Sequence, residues 1–109
     1  MDQDTIAALA TAPGEGGIAI VRVSGQNAEA LLARLFVPAR AWESHRMYYG
    51  HIQYEGETLD ECMAVLFRAP RSYTREDVAE IQSHGGTQVL RRILEAVTAR
   101  GARLAEAGR

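Results

Sequence analysis

The chain of 109 residues contains no lysine; all twelve of its basic side chains are arginine. A nucleotide P-loop needs Gly-Lys-Ser/Thr after its glycines, so the sequence carries none. Coding bias is the plain cause of the arginine excess. The alternative is recognition of carboxylates by planar guanidinium forks. Cys62 is the single cysteine, which excludes an internal disulfide and leaves too few thiols for a metal site. No apolar stretch reaches the ~20 residues of a membrane span. The N-terminus lacks a basic, apolar leader. Together these absences predict a cytoplasmic protein without membrane contact. A net charge of −2 gives no general attraction to nucleic acid or to an anionic membrane.

What the chain does have is apolar surface. Hydrophobic residues make up 47% of it, enough for the modest core of one domain or part of one. Residues 4–11, "DTIAALAT", read as a short strand. "GIAIVRVS", residues 17–24, is β-branched and apolar on both faces, which predicts a central strand. Ser24 stands where an N-cap belongs, and Ala28, Leu31, Leu32 and Leu35 then mark one face of a helix. Val37-Pro38 ends it. Met47 to Tyr54 and Leu59 to Phe67 read as a hairpin around Glu55-Gly56. "DVAEIQSH", residues 77–84, alternates as a strand. Leu90, Ile93, Leu94 and Val97 mark a second helix, with Gly101 at C′. "ARLAEAGR", residues 102–109, starts another short strand. The order β-β-α-β-β-β-α-β predicts an α+β domain, with two amphipathic helices packed on one mixed sheet.

The stretch "TAPGEGGIAIVRVSG" holds Gly14, Gly16 and Gly17. With Ala19 it satisfies the dinucleotide-binding pattern G-x-G-x-x-G/A. That pattern works when a strand enters the loop and a helix leaves it. Here a strand leaves it, so the loop reads as a glycine connection between two strands, with backbone conformations that glycine adopts cheaply.

Two charges interrupt strands that should be buried. Arg22 shares a face with Ile18 and Ile20. Glu80 shares one with Val78, Gln82 and His84. Burying an ion costs several kcal/mol unless it is paired. Arg22 and Glu80 therefore either pair with each other or neighbouring loops, or hold a polar ligand at the sheet. A carboxylate accepting two N–H bonds suits an amidine-like heterocycle edge, and an arginine suits an anion or ring carbonyl. His84, before Gly85-Gly86, reads as a strand-end histidine bonding loop backbone. The helix start at Gly86 offers free amides to an anion. Tyr48 and Tyr49 point to opposite faces, so one belongs to the core. Tyr73 in "RSYTRED" either packs under its loop or lines a pocket. Asp60, Glu61, Glu76 and Asp77 read as solvated charges. No Ser-His-Asp arrangement or acid/base pair is evident, so no catalytic residue and no metal ligand is assigned.

Three stretches together resemble one family: "DTIAALATAPGEGGIAIVRVSG", "LDECMAVLFRAPRSYTREDVAEIQSHGG" and "ARLAEAG". Over about Asp4 to Gly108 they are similar to the N-terminal domain of the TrmE (MnmE) family of tRNA-modifying GTPases. The resemblance implies a fold similar to folate-binding domains of the aminomethyltransferase type. It implies binding of a one-carbon tetrahydrofolate, in the 5-formyl or methylene form, and homodimerisation. Arg22 and Glu80 match positions that contact the folate. Gly16 and Gly17 would lie near the pterin and the dimer contact. The whole protein would carry a helical domain and a G domain using GTP, Mg and K. With MnmG (GidA) it would modify carbon 5 of the tRNA wobble uridine. Here Ala107 and Arg109 stand where the family usually has the Pro and Glu of a Pro-Gly-Glu-Phe stretch, and the lysine-bearing segment that follows it in the family is absent. The expectation is a domain truncated at its C-terminal end, with no GTPase activity of its own. The competing class is a structural dimerisation module in which Arg22–Glu80 is only an ion pair.

Overall fold

A computed structural model describes residues 5–10, 18–70 and 76–105. The expectations for the glycine loop, Tyr73 and the last four residues lie outside this set. Along the chain run β1 (Ile6–Leu9), β2 (Ala19–Ser24), α1 (Ala28–Leu35), β3 (Phe36–Val37), β4 (Met47–Tyr54), β5 (Glu57–Phe67), β6 (Val78–Ser83), α2 (Gly86–Ala99) and β7 (Arg103–Leu104). They form a mixed sheet in the order β3-β4-β5-β6-β2-β1-β7. Among the described residues only the β1–β7 pair is parallel. The α+β class and the central position of β2 agree with the sequence pattern.

Period-two alternation decides the layering. Val21 and Val23 of β2, Ala79 and Ile81 of β6, and Ala64 and Leu66 of β5 are buried in one core. Leu31, Leu32 and Leu35 of α1 and Ile93, Ala96 and Val97 of α2 join it. The two helices touch each other and pack on the central strands, so both cover the same face. Among the described residues no helix covers the opposite face.

Several local expectations change. Ser24 is not the N-cap of α1 but the last residue of β2; the helix starts four residues later, after Asn27. Asn27 makes no side-chain cap. Its backbone N–H instead donates to the hydroxyl of buried Thr5, at 3.1 Å. Past α1 the chain adds β3, which pairs Phe36 with Ile52 and Val37 with His51. Gly50 makes this approach feasible: a Cβ there would fall 2.3 Å from the Val37 carbonyl oxygen and 2.6 Å from the Phe36 ring. The segment over residues 39–45, outside any helix or strand, contributes Trp42 to the core, stacked edge-on between Phe36 and Tyr48 at 5.1 and 5.0 Å. Tyr48 is thus the tyrosine that joins the core, while Tyr49 is 58% exposed.

The hairpin turns at Glu55-Gly56, both with positive φ (52° and 80°), as a two-residue turn matched to strand twist requires. Its return strand starts at Glu57, two residues before the expected Leu59. Gly101, with φ 119°, terminates α2 as predicted.

Candidate functional site

The uncovered face of the sheet is built from successive register rows. One row runs Ala8–Arg22–Glu80–Val65–Met47 across β1, β2, β6, β5 and β4. The next runs Ile20–Gln82–Met63–Tyr49. Glu80 therefore sits on a strand with neighbours on both sides, and only 6% of it is exposed. Arg22 stands directly opposite. Its Nε and Nη2 donate to a single oxygen, Glu80 Oε2, at 2.9 and 2.7 Å.

This clamp leaves the carboxylate asymmetric. Among the described residues nothing donates to Glu80 Oε1, and no buried side-chain oxygen or nitrogen lacks a partner. Oε1 therefore reaches solvent, on a side chain that is 8% exposed. The expected two parallel N–H bonds would use both oxygens. With Oε2 held by Arg22, a ligand's N–H groups converge on Oε1 instead. The site can present a fixed, negatively polarised acceptor on a largely apolar floor, with its charge balanced by an adjacent guanidinium. Such a charge-assisted acceptor forms hydrogen bonds about twice as strong as neutral ones.

The structure brings together Arg22 and Glu80, as the burial argument anticipates. Gly16 and Gly17 lie outside the described residues. His84 falls beyond the end of β6 and is exposed, so it does not continue the Glu80 face. Its backbone N–H, not its ring, makes the local bond, donating to Asp60 Oδ2 at 3.2 Å. Asp60 also accepts the Ser83 hydroxyl at 2.6 Å, and Ser83 Oγ accepts the Gly85 N–H at 3.2 Å. Asp60 is therefore not a free solvated charge; it ties β5 to the β6–α2 connection and complements the positive helix end.

Other polar groups serve the frame. Arg68 bonds both carboxylate oxygens of Glu29 and the Trp42 carbonyl, the last at 2.7 Å, pinning α1 and the 39–46 segment to the end of β5. The Glu29 carboxylate holds the Arg68 guanidinium above the usual arginine range. Tyr49 donates to Glu61 Oε1 at 2.6 Å, and that bond raises the phenol's pKa. Cys62 is buried, and burial, followed by the charge of Asp60, pushes its thiol up to about 12. Among the described residues no group of three His, Cys, Asp or Glu can hold a metal, and no helix is long and apolar enough to cross a membrane. Gln82 shares this face, in the register row next to Glu80. Its signal was present in the sequence as a second polar side chain two positions from Glu80.

Fold and site define an α+β domain with a polarised ion pair on an otherwise uncovered sheet face. The sequence model of the family described as GTP-binding protein TrmE N-terminus matches residues 5–109, and the chain belongs to that family. It is 58% identical to the tRNA modification GTPase MnmE of Geobacter sulfurreducens over 97% of its length, covering 24% of that protein. It is 55% identical to that of Syntrophotalea carbinolica and 52% to that of Roseiflexus castenholzii, each over 99% of the chain and 25% and 24% of those proteins. The chain thus spans about a quarter of the length of these relatives.

Proposed function

We propose that this domain binds a one-carbon tetrahydrofolate on its open sheet face and pairs with a second copy of itself. It does so within a cytoplasmic tRNA-modifying GTPase that acts with MnmG (GidA) on carbon 5 of the wobble uridine. The supporting observation is Glu80: a carboxylate 6% exposed, held through one oxygen by Arg22 while the other faces outward. The 2-amino and ring N–H groups of a pterin are donors suited to that oxygen. Arg22 orients the acceptor and balances its charge. Gly16 and Gly17 are assigned to close approach near the pterin and the dimer contact. The domain contributes no catalytic side chain. GTP, Mg and K belong to the G domain of the longer protein, and the tetrahydrofolate supplies the one-carbon unit when bound.

Thermal unfolding with and without 5-formyltetrahydrofolate tests this reading. Binding stabilises the folded state by about 2.7 kcal/mol at a hundredfold excess over Kd. A raised midpoint that Glu80→Ala abolishes supports the folate site. An unchanged midpoint leaves Arg22–Glu80 as an ion pair of a structural dimerisation module.

A further inference from the structure

Glu80 alone does not account for the polarity of this face. Gln82 lies two residues further along β6, on the same side, about 7 Å away by strand geometry. Its row neighbours across the sheet are apolar: Ile20 on β2 and Met63 on β5. Gln82 is half-buried, and no hydrogen bond to its side-chain amide forms among the described residues. Since no buried side-chain nitrogen or oxygen lacks a partner, the amide reaches the open face. An apolar residue would suit this place in a central strand better, so the amide breaks the local pattern without a gain within the fold.

We infer that Gln82 is a second ligand-contact residue, hydrogen-bonding the ring edge next to the one held by Glu80; the inference rests on the folate reading above. Arg22 occupies Glu80 Oε2 with two N–H bonds, so the carboxylate offers a ligand only Oε1. A pterin's pyrimidine ring carries a carbonyl beside its N–H and amino donors. That carbonyl needs a donor of its own. Gln82 supplies one from the next row, and its amide carbonyl remains available to a further N–H. The two side chains then span the polar edge of one bicyclic ring. Ile20 and Met63, flanking Gln82, give the ring an apolar floor.

The test compares the unsubstituted protein with Gln82→Met, which keeps length and removes the amide, and with Gln82→Leu. Calorimetric titration with 5-formyltetrahydrofolate gives Kd, and ligand-free thermal unfolding gives stability. The expected result is roughly tenfold weaker binding by both variants, the loss of one hydrogen bond, with ligand-free midpoints equal to or above the original. A residue serving only the fold would instead lower the midpoint. Binding by both variants within twofold of the unsubstituted protein overturns the role of Gln82 while leaving the folate site standing. Absence of binding by the unsubstituted protein removes the folate reading, and this inference with it.

Discussion

Glu80 and Arg22 set the energetics at the scale of single residues. A buried ion stripped of its partner keeps its desolvation cost, so Arg22→Ala is expected to destabilise by about 2–4 kcal/mol. Arg22→Leu combined with Glu80→Leu should cost less than the sum of the single changes, because neither charge is then left alone. Urea unfolding of the parent, Arg22→Ala, the two single leucine variants and the double variant checks this, and strict additivity of the leucine changes would show that the two side chains do not interact. Cys62 offers a second residue-scale prediction. Its folded pKa of about 12 stands above the ordinary 9.0. The unfolded thiol therefore ionises first as pH rises. Its contribution to stability is full below pH 9 and is lost progressively toward 12. Cys62→Ala should show a shallower alkaline loss of stability than the parent. The native thiol should also resist a soluble alkylating reagent at pH 8 until the chain unfolds, because the thiolate is the reactive form.

At the scale of elements, close approaches and ties decide where strands and helices begin. Gly50→Ala places a Cβ against the Val37 carbonyl and the Phe36 ring. It is expected to cost about 1–3 kcal/mol and to loosen the Phe36–Trp42–Tyr48 stack, visible as a change in tryptophan fluorescence. Asp60→Ala removes the acceptor shared by the Ser83 hydroxyl and the His84 N–H. The expected loss is about 1–2 kcal/mol, measured by urea unfolding. These elements also show what local pattern can and cannot reveal. The 3.6 period of Leu31, Leu32 and Leu35 and the alternation of β2 and β6 are properties of contiguous residues, so they were legible. The β3 strand was not, because it depends on a glycine on another strand. Ser24 looked like a cap because it precedes a helical pattern, yet the sheet extends through it and the true helix start leans on Thr5, 22 residues away. Asp60 looked solvated for the same reason: its partners Ser83 and His84 lie 23 and 24 residues along the chain and meet it only through the β5–β6 pairing.

The whole molecule turns these local facts into a site. Period-two reading places Arg22 and Glu80 each on a face, but only the β2–β6 pairing, joining residues 58 apart, sets them opposite one another. Placing both helices on one face leaves the other, which carries Arg22 and Glu80, uncovered by any helix among the described residues. In the proposed reading Glu80 and Arg22 hold the folate, and the dimer contact lies near Gly16 and Gly17 rather than at the carboxylate. Glu80→Ala is therefore expected to leave the mass in solution unchanged, as read by sedimentation equilibrium, while weakening folate binding. A change of mass with that single substitution would place the carboxylate in the dimer contact instead.

The central claim is that the outward oxygen of Glu80 receives a reduced folate. Its most direct test is calorimetric titration of 5-formyltetrahydrofolate into the purified protein and into Glu80→Gln, which keeps the shape and removes the charge. Saturable binding of one folate per chain, lost or weakened at least tenfold in the variant by loss of a charged acceptor, is the predicted result. Equal affinity in the two proteins, or no binding by either, would contradict it.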